Sequence, residues 1–105
     1  MEKEIIFRGE KITLKFFCYN DGRIGILMIH SETNKLWGNA TLNLNCNIKN
    51  NEILVKSYGD SNYGLYEILL ENNIINQCRR MFEIGLNKAH VCEVNEFIYK
   101  KMTSK

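Results

Sequence analysis

The spacing of apolar residues changes once along this chain, and that change restricts its fold more than any other feature. Before Gly59, apolar residues mostly alternate with polar ones, which is the period of a half-buried strand. After it, Leu65, Ile68, Leu69 and Asn72 fall at i, i+3, i+4 and i+7, the stripe of a helix, and Tyr66 and Leu70 widen it. A chain that reads as strands and then as helix belongs to the α+β class.

The strand half can be divided at its turns. Residues 4–8 are a short extended run, and Gly9-Glu10 reads as a tight turn into residues 11–19. There Ile12, Leu14 and Phe16 alternate with Lys11, Thr13 and Lys15. Asn20-Asp21-Gly22 is a hairpin signal, because Asp and Gly both accept positive φ. Residues 23–30 are apolar on both faces, so the sequence predicts a central strand covered on one side by a helix or an oligomer partner. Residues 31–35 form a polar turn, and residues 36–44 read as one long strand in which Gly38 marks a bulge or a close backbone approach. Residues 53–58 follow as another strand. Neighbours in such a series pair without long crossovers, which gives an antiparallel meander.

The helix is expected over about residues 62–72, preceded by the cap-rich Gly59-Asp60-Ser61-Asn62 and stopped by Asn72-Asn73, where asparagine can take the left-handed cap position. Residues 78–84 read as a strand, 85–88 as a turn, and 89–94 as an alternating strand. Asn95 caps a short terminal helix with Phe97, Ile98 and Met102 inward and Lys100, Lys101 and Lys105 toward solvent. The expected architecture is one compact α+β domain over residues 1–105. It has an antiparallel meander sheet of four or five strands, one helix packed on a face, and a short C-terminal helix within a basic extension, 95–105.

At 105 residues the chain has room for one domain and one modest core. A formal net charge of +2 with 25% charged residues gives no global case for nucleic acid or a membrane surface. Cys18, Cys46, Cys78 and Cys92 show no C-x-x-C gap, so no zinc knuckle or thioredoxin-like pair follows from spacing. Two disulfides are formally open, in three pairings. The charged start Met1-Glu2-Lys3-Glu4, unlike a signal peptide, favours reduced cysteines and a cytoplasmic protein. Cys18 and Cys92 stand among apolar neighbours and are expected to be buried. Of the fourteen asparagines many lie in the turns, among them Asn20, Asn34, Asn50, Asn51, Asn72 and Asn73, and a biased AT-rich genome would produce the same excess.

Reaction chemistry has little to stand on. His90 and Cys92 share a strand face, a pairing that can bind metal or activate a thiol, but no further ligand or base accompanies them. The pair reads as a hydrogen-bonded histidine at a sheet rim beside an inert cysteine. No paired carboxylates and no phosphate-binding glycine loop occur. No enzymatic activity, metal or cofactor is expected. For binding, the candidates are Trp37, a core lid or an interface anchor, and the loop that carries Tyr58, Asp60 and Tyr63. Arg79, Arg80, Lys100 and Lys101 are the nearest thing to a basic patch, interrupted by Glu83, Glu93 and Glu96.

From about Phe7 to Val94 the chain resembles the uncharacterised domain family numbered 4313, small proteins of phages, plasmids and conjugative elements. The resemblance rests on Asn20-Asp21-Gly22-Arg23, on Trp37 through Thr41-Leu42-Asn43-Leu44, on the segment from Glu52 to Tyr58, on Gly64-Leu65, and on Ala89-His90-Val91-Cys92. The family carries a proline where this chain has His90, and its typical member lacks the basic tail beyond Val94. What the resemblance implies is a non-enzymatic accessory protein of a mobile element. Such proteins often antagonise host defence by binding a nuclease complex, as anti-CRISPR proteins do. The expected partner is therefore a host protein or ribonucleoprotein defence complex. A direct nucleic-acid-binding regulator and a structural or homodimeric accessory protein are the alternatives.

Overall fold

A computed structural model describes residues 1–44, 48–56, 62–76, 78, 80–85 and 87–104, with backbone alone at Ile84 and Asn87. The protein is α+β, with two four-stranded antiparallel sheets and two helices. The first sheet takes strands in chain order: β1 (Glu2–Phe7), β2 (Glu10–Cys18), β3 (Ile24–His30) and β4 (Leu36–Asn39). Arg8 and Gly9 join β1 to β2 with φ of 54° and 77°, the left-handed pair that matches strand twist in a two-residue hairpin. At the next hairpin the Asp21 carboxylate accepts the Arg23 N–H (3.0 Å) and Gly22 takes φ 87°. The period-2 pattern translates directly into burial: Ile12, Leu14 and Phe16 point inward while Lys11 and Lys15 are exposed.

The second sheet departs from the expected meander. It contains β5 (Thr41–Leu42), β6 (Glu52–Lys56), β7 (Arg80–Ile84) and β8 (Asn87–Glu93), in the order β5-β6-β8-β7. The described residues therefore form eight strands in two sheets, not one sheet of four or five. β8 inserts between β6 and β7, because α1 (Leu65–Glu71) carries the chain away from β6 before β7 begins.

The segment 36–44, expected to be one strand, divides at Ala40. Ala40 donates its N–H to Ile26 O in the first sheet (2.9 Å), and its carbonyl accepts from Lys56 N–H in the second (3.0 Å). Where β4 would have supplied the next rung to β3, the Thr41 side chain takes over. Its hydroxyl accepts the Ile26 N–H (3.3 Å) and donates to Asn39 Oδ1 (2.9 Å). A hydroxyl has one proton, so Tyr19 must be the donor in its 2.9 Å contact with Thr41. Thr41 is the one buried polar side chain among the described residues, and each of its bonds is made at the corner between the sheets. Gly38 lies at the register shift between Met28 and Ile29, as its position in the sequence predicts, with Trp37 as the extra residue.

The main core fills the space between the sheets. Ile5, Phe7, Ile12, Leu14, Phe16, Ile24, Ile26 and Met28 face Ile53, Val55 and Cys92, with Leu65 and Leu69 of α1 and Ile98 of α2 (Glu96–Thr103) at its margins. The helix α1 runs beside β1 in the opposite direction. Arg8 donates to Tyr63 O (2.8 Å from Nη2) at one end, and Lys3 Nζ donates to Asn72 O (3.0 Å) at the other. The helix stops as expected: Asn73 takes φ 58° and the N–H of Ile74 bonds to Leu69 O. Its start differs from expectation, because Gly64 at φ 80° is the N-cap and no side chain caps it. Gly59, Asp60 and Ser61 lie outside the described residues. Asn95 caps α2 as predicted, its side chain accepting the Phe97 N–H (2.8 Å).

The two faces of the sheets are covered unequally. The outer face of the second sheet buries Leu54, Ala89 and Val91 beneath Leu42, Leu44, Ile48 and Phe82. Arg23 pins that cover by donating to Leu44 O (3.1 Å) and Ile48 O (3.3 Å). Among the described residues no helix covers the outer face of β3, the face where the sequence allowed a helix or an oligomer partner, and both helices join the core on the inner side. Cys18 also departs from expectation: it ends β2 and is exposed, near Met102 O, whereas Cys92 is buried.

Candidate functional site

Strand β8 sends His90 and Cys92 to the inner face, where each is opposite a β6 residue: His90 faces Val55 and Cys92 faces Ile53. The helix α1 lays Tyr66 flat on His90, with ring centres 4.0 Å apart and planes 6° from parallel. The Tyr66 hydroxyl accepts the Cys78 N–H (3.1 Å), which ties the helix to the segment before β7. Burial lowers the pKa of His90, and the nearby Glu67 carboxylate opposes the shift. Burial pushes the Cys92 thiol far up, with Cys78 next in effect, so Cys92 stays protonated and is a poor nucleophile.

Beside this stack is a hollow of about 400 Å³ lined by Asn62, Tyr63, Gly64, Tyr66, Glu67 and His90. Tyr63 stands at its lip, 81% exposed. Glu67 has no salt bridge or hydrogen bond among the described residues. No three His, Cys, Asp or Glu side chains converge among those residues in a way that would hold a metal ion.

The predicted binding residues do not gather at one place. Tyr63 belongs to the hollow. Tyr58, Asp60 and Arg79 lie outside the described residues. Trp37 is half-buried and caps an edge of the core, edge-on to Phe7 at 6.3 Å and stacked on His30 at 6.4 Å. His30 is itself fixed by Glu10 (2.8 Å) and by the Thr33 hydroxyl (3.1 Å). Arg80 pairs with Glu52 (3.4 Å) and Lys100 with Glu96 (2.8 Å). This contact raises the Lys100 pKa and lowers that of Glu96. Lys101 is exposed on α2. The basic positions are thus interleaved with carboxylates.

Sequence reasoning missed one feature and located another only in part. The first is Glu67, whose four-residue spacing from Tyr63 was the available signal. The other is the outer face of the first sheet. There Leu36 (68% exposed) stands opposite half-buried Ile29, with half-buried Leu27 and Phe17 beyond it, while Lys11, Thr13 and Lys15 of β2 separate this group from Ile6 (54%) on β1. Glu2 and Glu4 accompany Ile6 on β1. Among the described residues, no helix is long and apolar enough to cross a membrane. No family model, curated protein or solved structure matches the chain.

Proposed function

We propose that this chain is a non-enzymatic binding protein of a mobile genetic element that inhibits a host defence complex by seating on one of its proteins. One observation carries the choice of a protein partner: the apolar outer face of the first sheet, centred on Leu27, Ile29 and Leu36. Grouped apolar residues of which one, Leu36, is exposed are informative where a scattered apolar residue is not. Lys11 and Lys15 of β2 flank the group, and Glu2 and Glu4 follow on β1 beyond them. An apolar centre with a rim of both signs suits a protein surface and offers no continuous track for phosphates. The pairing of Arg80 with Glu52 and of Lys100 with Glu96 favours the same choice over direct nucleic-acid binding. The mobile-element setting and the anti-CRISPR-like role rest on the sequence resemblance.

The test is an affinity pull-down from the natural host, with nuclease-treated lysate in parallel and Leu36→Lys as the interface variant. A defence-complex protein retained by the wild type after nuclease treatment and at high salt, and lost with Leu36→Lys, is the expected result. Recovery of nucleic acid alone, lost on nuclease treatment and as salt rises, would overturn the reading.

A further inference from the structure

We propose that the hollow between α1 and β8 is a receptor for a guanidinium group, presented as an arginine side chain by the protein partner. The inference rests on the protein-binding reading above but uses a different surface. Three properties of the lining select the ligand. Among the described lining residues Glu67 is the formally anionic one, and none is a lysine or arginine. A carboxylate without a partner attracts a cation and repels phosphate or carboxylate groups. The second property is an aromatic lining: Tyr66 and His90, whose mutual stacking leaves one face of each ring uncovered by the other, and the 81% exposed Tyr63 ring at the lip. Aromatic faces carry negative charge density and favour cations within about 6 Å. The third is preorganisation. Arg8 holds the Tyr63 carbonyl through two nitrogens, at 3.2 and 2.8 Å, so the lip is fixed from behind.

Planarity separates arginine from lysine. A guanidinium can lie against an aromatic face and still offer paired N–H donors to a carboxylate, whereas an ammonium is a compact, strongly hydrated point charge. At about 400 Å³ the hollow has room for the outer part of an arginine side chain. Burial keeps His90 neutral at neutral pH, so it does not oppose a bound cation.

The probe is N-acetyl-L-arginine N-methylamide, titrated into the full chain and followed by the NMR signals of the His90, Tyr63 and Tyr66 rings. Saturable shifts at these rings are expected. The lysine analogue and the neutral citrulline analogue should bind more weakly, and Glu67→Gln should weaken the arginine probe by roughly tenfold. Glu67 is exposed, so Glu67→Gln is expected to fold, and Tyr63→Ala at the exposed lip provides a second variant with the same expected loss. Equal binding of the citrulline analogue, no effect of Glu67→Gln, or no saturable shift would overturn the proposal. Tighter binding of free arginine than of the blocked probe would overturn its assignment to a polypeptide. Failure here, with Leu36-dependent protein capture intact, removes the receptor and leaves the proposed function standing. Probe binding without protein capture does the reverse.

Discussion

Replacing Thr41 by valine removes one hydroxyl from the corner between the sheets while keeping the shape of the side chain. In the wild type that oxygen accepts from Ile26 N–H and Tyr19 OH and donates to Asn39 Oδ1. The losses are unequal. Ile26 is fully buried, and its N–H points to the place where the chain has left the first sheet. An orphaned buried N–H costs about 1–3 kcal/mol. Tyr19 is half-buried and can turn to water, so its loss is about 0.5–1 kcal/mol, the net worth of an ordinary hydrogen bond. Asn39 Oδ1 keeps its bond from the Thr41 N–H (2.9 Å) and loses little. The expected cost of Thr41→Val is therefore about 1.5–4 kcal/mol, a large fraction of the roughly 5–15 kcal/mol that stabilises a domain. Thr41→Ser keeps the hydroxyl and loses one methyl, about 1 kcal/mol. Chemical denaturation followed by the fluorescence of Trp37, the only tryptophan, measures both. Tyr19→Phe should cost about 0.5–1.5 kcal/mol in the wild type and close to nothing in Thr41→Val. Equal stability of the valine and serine variants, or additive effects of Tyr19→Phe and Thr41→Val, would refute the account of the corner.

Three further outcomes follow from the same structure. An added Cβ on Gly25 would clash with the outer end of the Phe17 ring at Cζ, so Gly25→Ala should destabilise by about 1–3 kcal/mol, and Phe17→Ala should recover much of that in the double variant; four-way denaturation measures the coupling. His90 has a folded-state pKa below 6.5, so the unfolded chain takes up the proton first as pH falls. Stability should then drop as pH falls from about 6.5 toward the folded value and level off below it, with the slope absent in His90→Gln and steeper in Glu67→Gln; Tm measured against pH decides. Exposed Cys18 should react with a maleimide in the folded protein, whereas buried Cys92 should react only at the rate of unfolding, as mass spectrometry of the labelled sites can show.

Sequence by itself determined what short stretches decide alone. Inward-facing Ile12, Leu14 and Phe16, the Asp21-Gly22 hairpin, the left-handed stop at Asn73 and the Asn95 cap each depend on residues a few positions apart. Alternation also located the face shared by His90 and Cys92. Pairing of chain neighbours gave the order of the first sheet, and only the tertiary structure decided the order of the second and where the two part. Period 2 states which side chains share a face but not which neighbour supplies the ladder, so the division at Ala40 and the insertion of β8 between β6 and β7 left no local trace. The same holds for the candidate site. Tyr63 was legible as an aromatic in a turn-rich loop, but the hollow exists because α1 brings Tyr66 and Glu67 to a strand more than twenty residues further along. The role of Trp37 depended on Phe7 and His30 in other strands. Local geometry follows from steric and hydrogen-bonding preferences within a few residues, whereas pairing and site assembly follow from contacts between segments whose separation along the chain carries no signal in their spacing.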